Sequence, residues 1–563
     1  MCARGTPVAE VRGMKRLWLI FVITACAGNS SDSGSNTSAD GGGGVSFGGQ
    51  QDIGEFRGIL ENGGVPGPET LDANGFFNEH YVEPPACSDT LCLTPGVSVG
   101  RDWLTGAHQA TLQIAVNTNV DPTTITRKPL NLAVVVDHSG SMWDDQRLEK
   151  VKAGLHTLID NLADTDRIAL VQFDDRVDVL APFADTLDRA RLHTLVDGLQ
   201  PRGATNIYEG LRTGFSLVSS SLTSDRQNRV IFLSDGMATA GVTDDAQIIS
   251  MADGFVEEGI GLTTIGVGLD FDVTLMRGLA EHGAGNFYFL EDAAAASEVF
   301  TQELDYFVQP LALGIRIEAT AGSGWTFGEI VGSTLWTQTS RSGSMSIPAV
   351  FVASRTTQTP EGGRRGGGSM LFIKLTPSGT NDGKVADLKL TYRLPNSTET
   401  LTQTVTLSYA GNPAETPADT YLSAPEMAER YAMYNVFLGL RYATQETNYN
   451  CAVAALQATR GNAVTWNATH EDPDIAADIA LIDLYIGNLR ENGASYSETT
   501  LATCESVDNP YGDDQPYDDE GHYYYGCYGC TSGGNPSGFI AVMLAALVAV
   551  NRRRWRRAFR LRS

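Results

Sequence analysis

Five side-chain oxygens in this sequence are spaced as a cation site would need them. Asp137, Ser139 and Ser141 form a D-x-S-x-S run directly after the apolar stretch 130–136. A carboxylate followed by two hydroxyls at alternate positions of a turn can aim three oxygens at one point, and hard divalent cations take oxygen ligands. Thr205 stands in a Gly-Ala-Thr-Asn segment that opens a helical pattern, and Asp235 follows a second apolar run, 230–233, through Ser234. Near-octahedral Mg2+ would take the hydroxyls of Ser139, Ser141 and Thr205, with waters held by Asp137 and Asp235, and would keep one position for an outside ligand. Mn2+ and Ca2+ also accept an all-oxygen set.

His138 beside Ser139 raises the alternative of a nucleophile. Neighbouring residues on a turn at a strand end point apart, and no third, orienting carboxylate can be picked out, so a hydrolase is not expected. The sequence has no HExxH and no GxxxxGK[ST], which leaves binding rather than catalysis as the expected role.

The elements that must hold these residues are legible as a pattern. Short apolar runs at 130–136, 168–173, 230–233, 262–267 and 286–290 suit a sheet buried on both faces. Between them, the windows 148–162, 206–222, 245–258, 273–282 and 293–307 repeat apolar residues at helical spacing, as Leu148, Val151, Leu155, Leu158, Ile159 and Leu162 show. This alternation predicts an α/β fold with a doubly wound, mostly parallel sheet over 130–308, its ligand site at the carboxyl ends of the strands. Alternating runs at 110–117, 311–319, 370–375, 385–392 and 403–409 predict an antiparallel β-sandwich in which, or beside which, the α/β unit is inserted. Its strands fall within 51–129 and 309–412. A helical region follows at 413–500, with clear periodicity at 427–442 and 475–491, and then an acidic linker at 501–526.

With its Asp, Ser, Ser, Thr and Asp in order and on the right elements, the segment 130–308 resembles the von Willebrand factor type A domain. The likeness extends to Thr264-Ile-Gly-Val-Gly268, Leu279-Ala-Glu-His-Gly283 and Asn286-Phe-Tyr-Phe289. It implies a Rossmann-like fold and a metal-ion-dependent adhesion site made of Asp137, Ser139, Ser141, Thr205 and Asp235. It further implies that a partner protein's Asp or Glu completes the coordination of the ion.

Both ends read as processing signals. Met14 starts a charged, apolar and then small-residue segment ending at Cys26, and Ile23-Thr24-Ala25-Cys26 resembles a bacterial lipobox. The resemblance implies removal of 1–25 and lipidation of Cys26, followed by a flexible tether over 26–50. At 527–563, Cys527 and Cys530, a 12-residue apolar run at 539–550 and an Arg-rich tail resemble the C-terminal sorting signals of myxobacterial type; a plain membrane anchor is the alternative reading. Outside the cytoplasm, Cys87 with Cys92 and Cys451 with Cys504 can form disulfides.

The 40 Lys+Arg against 67 Asp+Glu give a net charge of −27, which opposes nucleic-acid binding. Without 1–25 and 527–563 the balance is 29 bases to 66 acids, near −37. The sequence therefore predicts an exported, envelope- or surface-anchored protein that binds a protein ligand through a divalent cation. A regulatory or assembly subunit of an envelope or channel complex is the alternative.

Overall fold

The computed structural model describes residues 43–45, 53–82, 85–120, 128–290, 310–353 and 370–495, together with Phe300, Leu501 and Cys504, apart from short gaps at 185, 236, 269–270, 284, 379–381 and 396. Cys26, the tether expected over 26–50 apart from 43–45, the helical window at 293–307 apart from Phe300, most of the acidic linker and the C-terminal signal with Cys527 and Cys530 lie outside these residues; 43–45 form a strand rather than free tether.

The chain opens with β1 (Gly43–Val45), the helices α1 (Gly54–Glu61) and α2 (Ala73–Asn78), and the strands β2 (Cys92–Leu93), β3 (Gly96–Arg101), β4 (His108–Ile114) and β5 (Val116–Thr118). The α/β segment follows as β6 (Leu130–Asp137), α3 (Arg147–Asn161), β7 (Arg167–Phe173), β8 (Val177–Ala181), α4 (Arg189–Asp197), α5 (Ile207–Ser220), β9 (Gln227–Ser234), α6 (Asp245–Val256), β10 (Gly261–Val267), α7 (Val273–His282) and β11 (Phe287–Leu290). Its sheet runs β11-β10-β9-β6-β7-β8, parallel throughout except for β8, which pairs antiparallel at the edge. The fold is thus a mixed-sheet α/β unit of von Willebrand factor A type.

Strand β6 is central, and all eight of its residues are buried. Val134 and Val136 face one apolar cluster with Leu148, Val151 and Leu155 of α3, while Ala133 and Val135 face the other with Leu211 and Phe215 of α5. Helices on both faces are what a run of consecutive apolar residues requires. Helix α5 lies unusually close to the sheet: a Cβ on Gly214 would come within 2.4 Å of Val135 Cγ2. That approach sets the start of α5, and the loop before it, over the carboxyl end of β6.

Two antiparallel sheets take strands from both sides of this segment. After it come β12 (Pro310–Ala321), β13 (Trp325–Val331), β14 (Thr337–Gln338), β15 (Ser342–Ala353), β16 (Leu371–Pro377), β17 (Lys384–Arg393), β18 (Thr400–Ser408) and β19 (Tyr421–Leu422). One sheet has the order β18-β17-β12-β15-β1-β5-β2, with β14 added on β15, and the other β13-β16-β4-β3-β19. Leu371 of β16 lies opposite Ile114 of β4, a pairing across more than 250 residues. Buried side chains of both sheets, among them Val97, Leu112, Ile317, Trp325, Ile373 and Leu388, form one cluster.

The helices α8 (Met427–Gln445), α9 (Tyr449–His470) and α10 (Pro473–Glu491) close the described chain. They share a second core with α1 and α2, in which Phe56, Phe76, Phe77, Phe437 and Tyr485 are buried. The region at 51–129, expected to hold strands, therefore also supplies two helices to the C-terminal helical layer. His80 Nε2 stands 2.9 Å from Asp478 Oδ2 across that layer, and Arg277 of α7 pairs with Asp72 at 3.0 Å. Cys87–Cys92 and Cys451–Cys504 are disulfides. Among the described residues no helix is long and apolar enough to cross a membrane.

Candidate metal centre

Asp137 is the last residue of β6, and the turn after it is built on its own carboxylate. Oδ1 accepts the backbone N–H of Ser139 at 2.8 Å, and Oδ2 accepts the hydroxyl of Ser234 at 2.6 Å. This side-chain-to-backbone bond is what Asp commonly supplies at a turn. Ser139 Oγ and Ser141 Oγ stand 3.1 Å apart, and Ser141 donates to Asp235 Oδ1 at 2.9 Å. Asp235 follows directly on β9, the neighbour of β6 in the sheet. Four of the five expected residues thus form one hydrogen-bonded chain at the carboxyl ends of two adjacent strands.

The fifth, Thr205, arrives from a different loop. The N–H of Gly140 donates to the carbonyl of Gly203 at 3.1 Å, and the N–H of Arg202 donates to the carbonyl of His138 at 2.7 Å. These bonds lay the 202–205 segment along the D-x-S-x-S turn. Gly203 has φ +74°, and a Cβ there would stand 2.6 Å from Asp175 Oδ1, so the close approach needs glycine. Asn206 caps α5 by accepting from Glu209 N, and Thr205 is pinned by its N–H to Thr239 Oγ1 at 2.9 Å.

Electrostatics make this pocket short of positive charge. Asp137 is 0 %, Asp235 1 %, Ser139 1 % and Thr205 4 % exposed. Burial pushes the Asp137 carboxyl up to about 7 against the opposing bonds from Ser234 and Ser139, with Asp235 adding to the rise. Burial also raises Asp235, opposed by its bonds from Arg147 and Ser141. Arg147, the first residue of α3, holds Asp235 Oδ2 at 3.0 Å with both side chains buried. One arginine against two buried carboxylates leaves a charge that a bound cation would balance. The donor set, two carboxylates and three hydroxyls, contains only hard oxygen and fits a Mg2+-like ion.

Sequence reasoning missed three parts of this arrangement. Arg147 lies beyond the motif, and its only sequence signal is a basic residue at the head of an otherwise apolar-striped helix. Trp143 and Met237, large apolar residues two positions beyond Ser141 and Asp235 respectively, are 75 % and 62 % exposed. His138 turns away from the hydroxyls: its Nδ1 stands 2.8 Å from the Gln200 carbonyl.

Residues 131–302 match the model of the von Willebrand factor type A domain. An uncharacterized protein of Escherichia coli K12, YfbK, is 26% identical over 196 residues, covering 35% of this chain and 34% of that protein. An uncharacterized protein of Synechocystis, sll0103, is 30% identical over 194 residues, covering 34% and 45%. The chain thus spans less than half the length of either relative. Among solved structures, a von Willebrand factor type A protein from Catenulispora acidiphila is 15% identical with a TM-score of 0.44, covering 70% of this chain and 90% of that one.

Proposed function

We propose that this chain is a metal-ion-dependent binding protein of the bacterial cell envelope, acting in adhesion or scaffolding rather than catalysis. The observation that carries this reading is the hydrogen-bonded chain from Asp137 through Ser139 and Ser141 to Asp235, with Thr205 laid beside it, at the strand ends of a von Willebrand factor A-type unit. Ser139, Ser141 and Thr205 would hold a divalent cation by their hydroxyls, and Asp137 and Asp235 would hold it through water. When bound, the cation supplies a Lewis-acidic position that an incoming carboxylate can occupy.

The chain's own residues prepare that contact. Each Asp137 oxygen already accepts one hydrogen bond and keeps lone-pair capacity for a water. Asp235 is held in place by Arg147. Trp143 and Met237, exposed two residues beyond Ser141 and Asp235, offer apolar surface suited to a protein partner that presents an Asp or Glu. The lipobox-like segment at Cys26 supports an envelope location, and the negative net charge argues against nucleic acid as the partner.

The test is capture from envelope extracts by the wild type and by Asp137→Ala, in Mg2+ and in EDTA, with circular dichroism to confirm folding. Capture in Mg2+ that EDTA and Asp137→Ala both abolish is the expected result. Capture that survives EDTA sinks the reading.

A further inference from the structure

A second cluster of metal-ligating side chains lies between the helices α3 and α4 of the α/β unit. His156 on α3 and His193 on α4 bring their Nδ1 atoms to 2.5 Å. His156 Nε2 stands 3.0 Å from Asp197 Oδ1, and His193 Nε2 stands 3.0 Å from Asp160 Oδ1. The ring centres are 4.8 Å apart with the planes inclined by 24°. That separation exceeds the Nδ1–Nδ1 distance by two ring radii, so the two Nδ1 atoms meet head-on in nearly one plane.

The two carboxylates decide what the facing nitrogens are. A carboxylate accepts, so each Nε2 carries the hydrogen, and each neutral ring then presents a lone pair at Nδ1. Two lone pairs aimed at each other repel unless a proton or a metal cation stands between them. An imidazole whose far nitrogen donates to a carboxylate is the usual way a protein orients a histidine metal ligand and raises its basicity.

We propose that His156 and His193 form a metal site for a late first-row divalent cation of the Zn2+ or Cu2+ class, with Asp160 and Asp197 as positioning residues. Nitrogen donors separate it from the oxygen-only centre at Asp137 and select against Mg2+ and Ca2+. Two nitrogens on one tetrahedral Zn2+ at about 2.0–2.1 Å stand about 3.3 Å apart, so the pair opens by about 0.8 Å and the rings tilt to converge. Side chains 31% and 29% exposed allow that movement and admit the ion from solvent, where water completes its coordination. The two carboxylates balance the charge of the ion. The metal then clasps α3 to α4.

The experiment uses the metal-stripped full chain with excess Mg2+, titrated with Cu2+ and followed by electron paramagnetic resonance, and with Zn2+ by calorimetry. We expect one ion bound with a two-nitrogen hyperfine pattern. His156→Gln and His193→Gln each lose the pattern and weaken binding at least tenfold, while Asp160→Asn keeps the pattern and weakens binding about 10- to 100-fold. Circular dichroism and the unfolding midpoint in EDTA stay at wild-type values in all three. A nitrogen pattern that persists in both Gln variants overturns the proposal. So does a wild type that binds neither ion, in which case the two rings share a proton instead.

Discussion

Asp235 has one oxygen on Ser141 and the other on Arg147, so its charge is already half-answered by the protein. Arg147→Met removes that answer and leaves two buried carboxylates together, a change expected to cost about 3 kcal/mol because an uncompensated buried charge remains. A cation at the same place would restore much of the loss. We therefore expect Mg2+ to raise the urea midpoint of Arg147→Met more than that of the wild type. Equal shifts would place Asp235 outside the cation site. At this scale the sequence was informative about Asp137, Ser139, Ser141, Thr205 and Asp235, because strand ends and motif spacing determine where those oxygens go. It was silent about Arg147, Trp143 and Met237, whose roles depend on how the loops fold over the strands.

Strands buried on both faces, such as β6 and β9, were legible because an apolar run has few other uses. The edge strand β8 was not, since only one of its five residues is buried and it pairs on one side alone. Helix α4, which carries His193, buries only Leu192 and Val196 and has no strong stripe to read. Helices α1 and α2 escaped notice for another reason: their partners α8 and α10 lie more than 340 residues away, beyond the reach of any local pattern. The tie between α2 and α10 makes a measurable claim. Burial alone would lower the pKa of His80, but the charge and hydrogen bond of Asp478, helped by Asp474 and the Phe76 carbonyl, hold it at about 9. A raised histidine pKa stabilises the fold fully below about pH 6.5, and that contribution is lost as pH rises through about 9. Nearby Glu429, pushed up to about 8 by burial and by Asp472 and Asp474, adds its own loss between about pH 4.5 and 8. Comparison with His80→Gln isolates the histidine. The wild-type advantage in urea unfolding should shrink by about 3 kcal/mol between about pH 6 and 10, and an advantage that is constant with pH would rule this out.

Across the whole molecule, the two disulfides close loops of very different size. Cys451–Cys504 spans 53 residues and Cys87–Cys92 spans 5. Loop-closure entropy makes Cys504→Ser cost about 4 kcal/mol and Cys92→Ser about 2 kcal/mol. Urea unfolding of the two variants checks the ranking, and the reverse order would mean that native contacts rather than chain entropy govern it. Both pairings were readable from the positions of the cysteines and the expected export, whereas the layout of the antiparallel sheets was not, because β15 opens on Ser-Gly-Ser and β13 carries a Gly at its centre, which blurs their apolar pattern. That layout has a mechanical meaning. Strand β5, before the α/β segment, lies between β1 and β2, and β12, after it, lies between β15 and β17. Tension on a partner bound at Asp137, as proposed above, would thus be divided between two covalent connections, each leading to an interior strand of one sheet. The α/β unit is moored at both of its ends, and a pull on it would load the hydrogen-bonded ladders on either side of β5 and of β12.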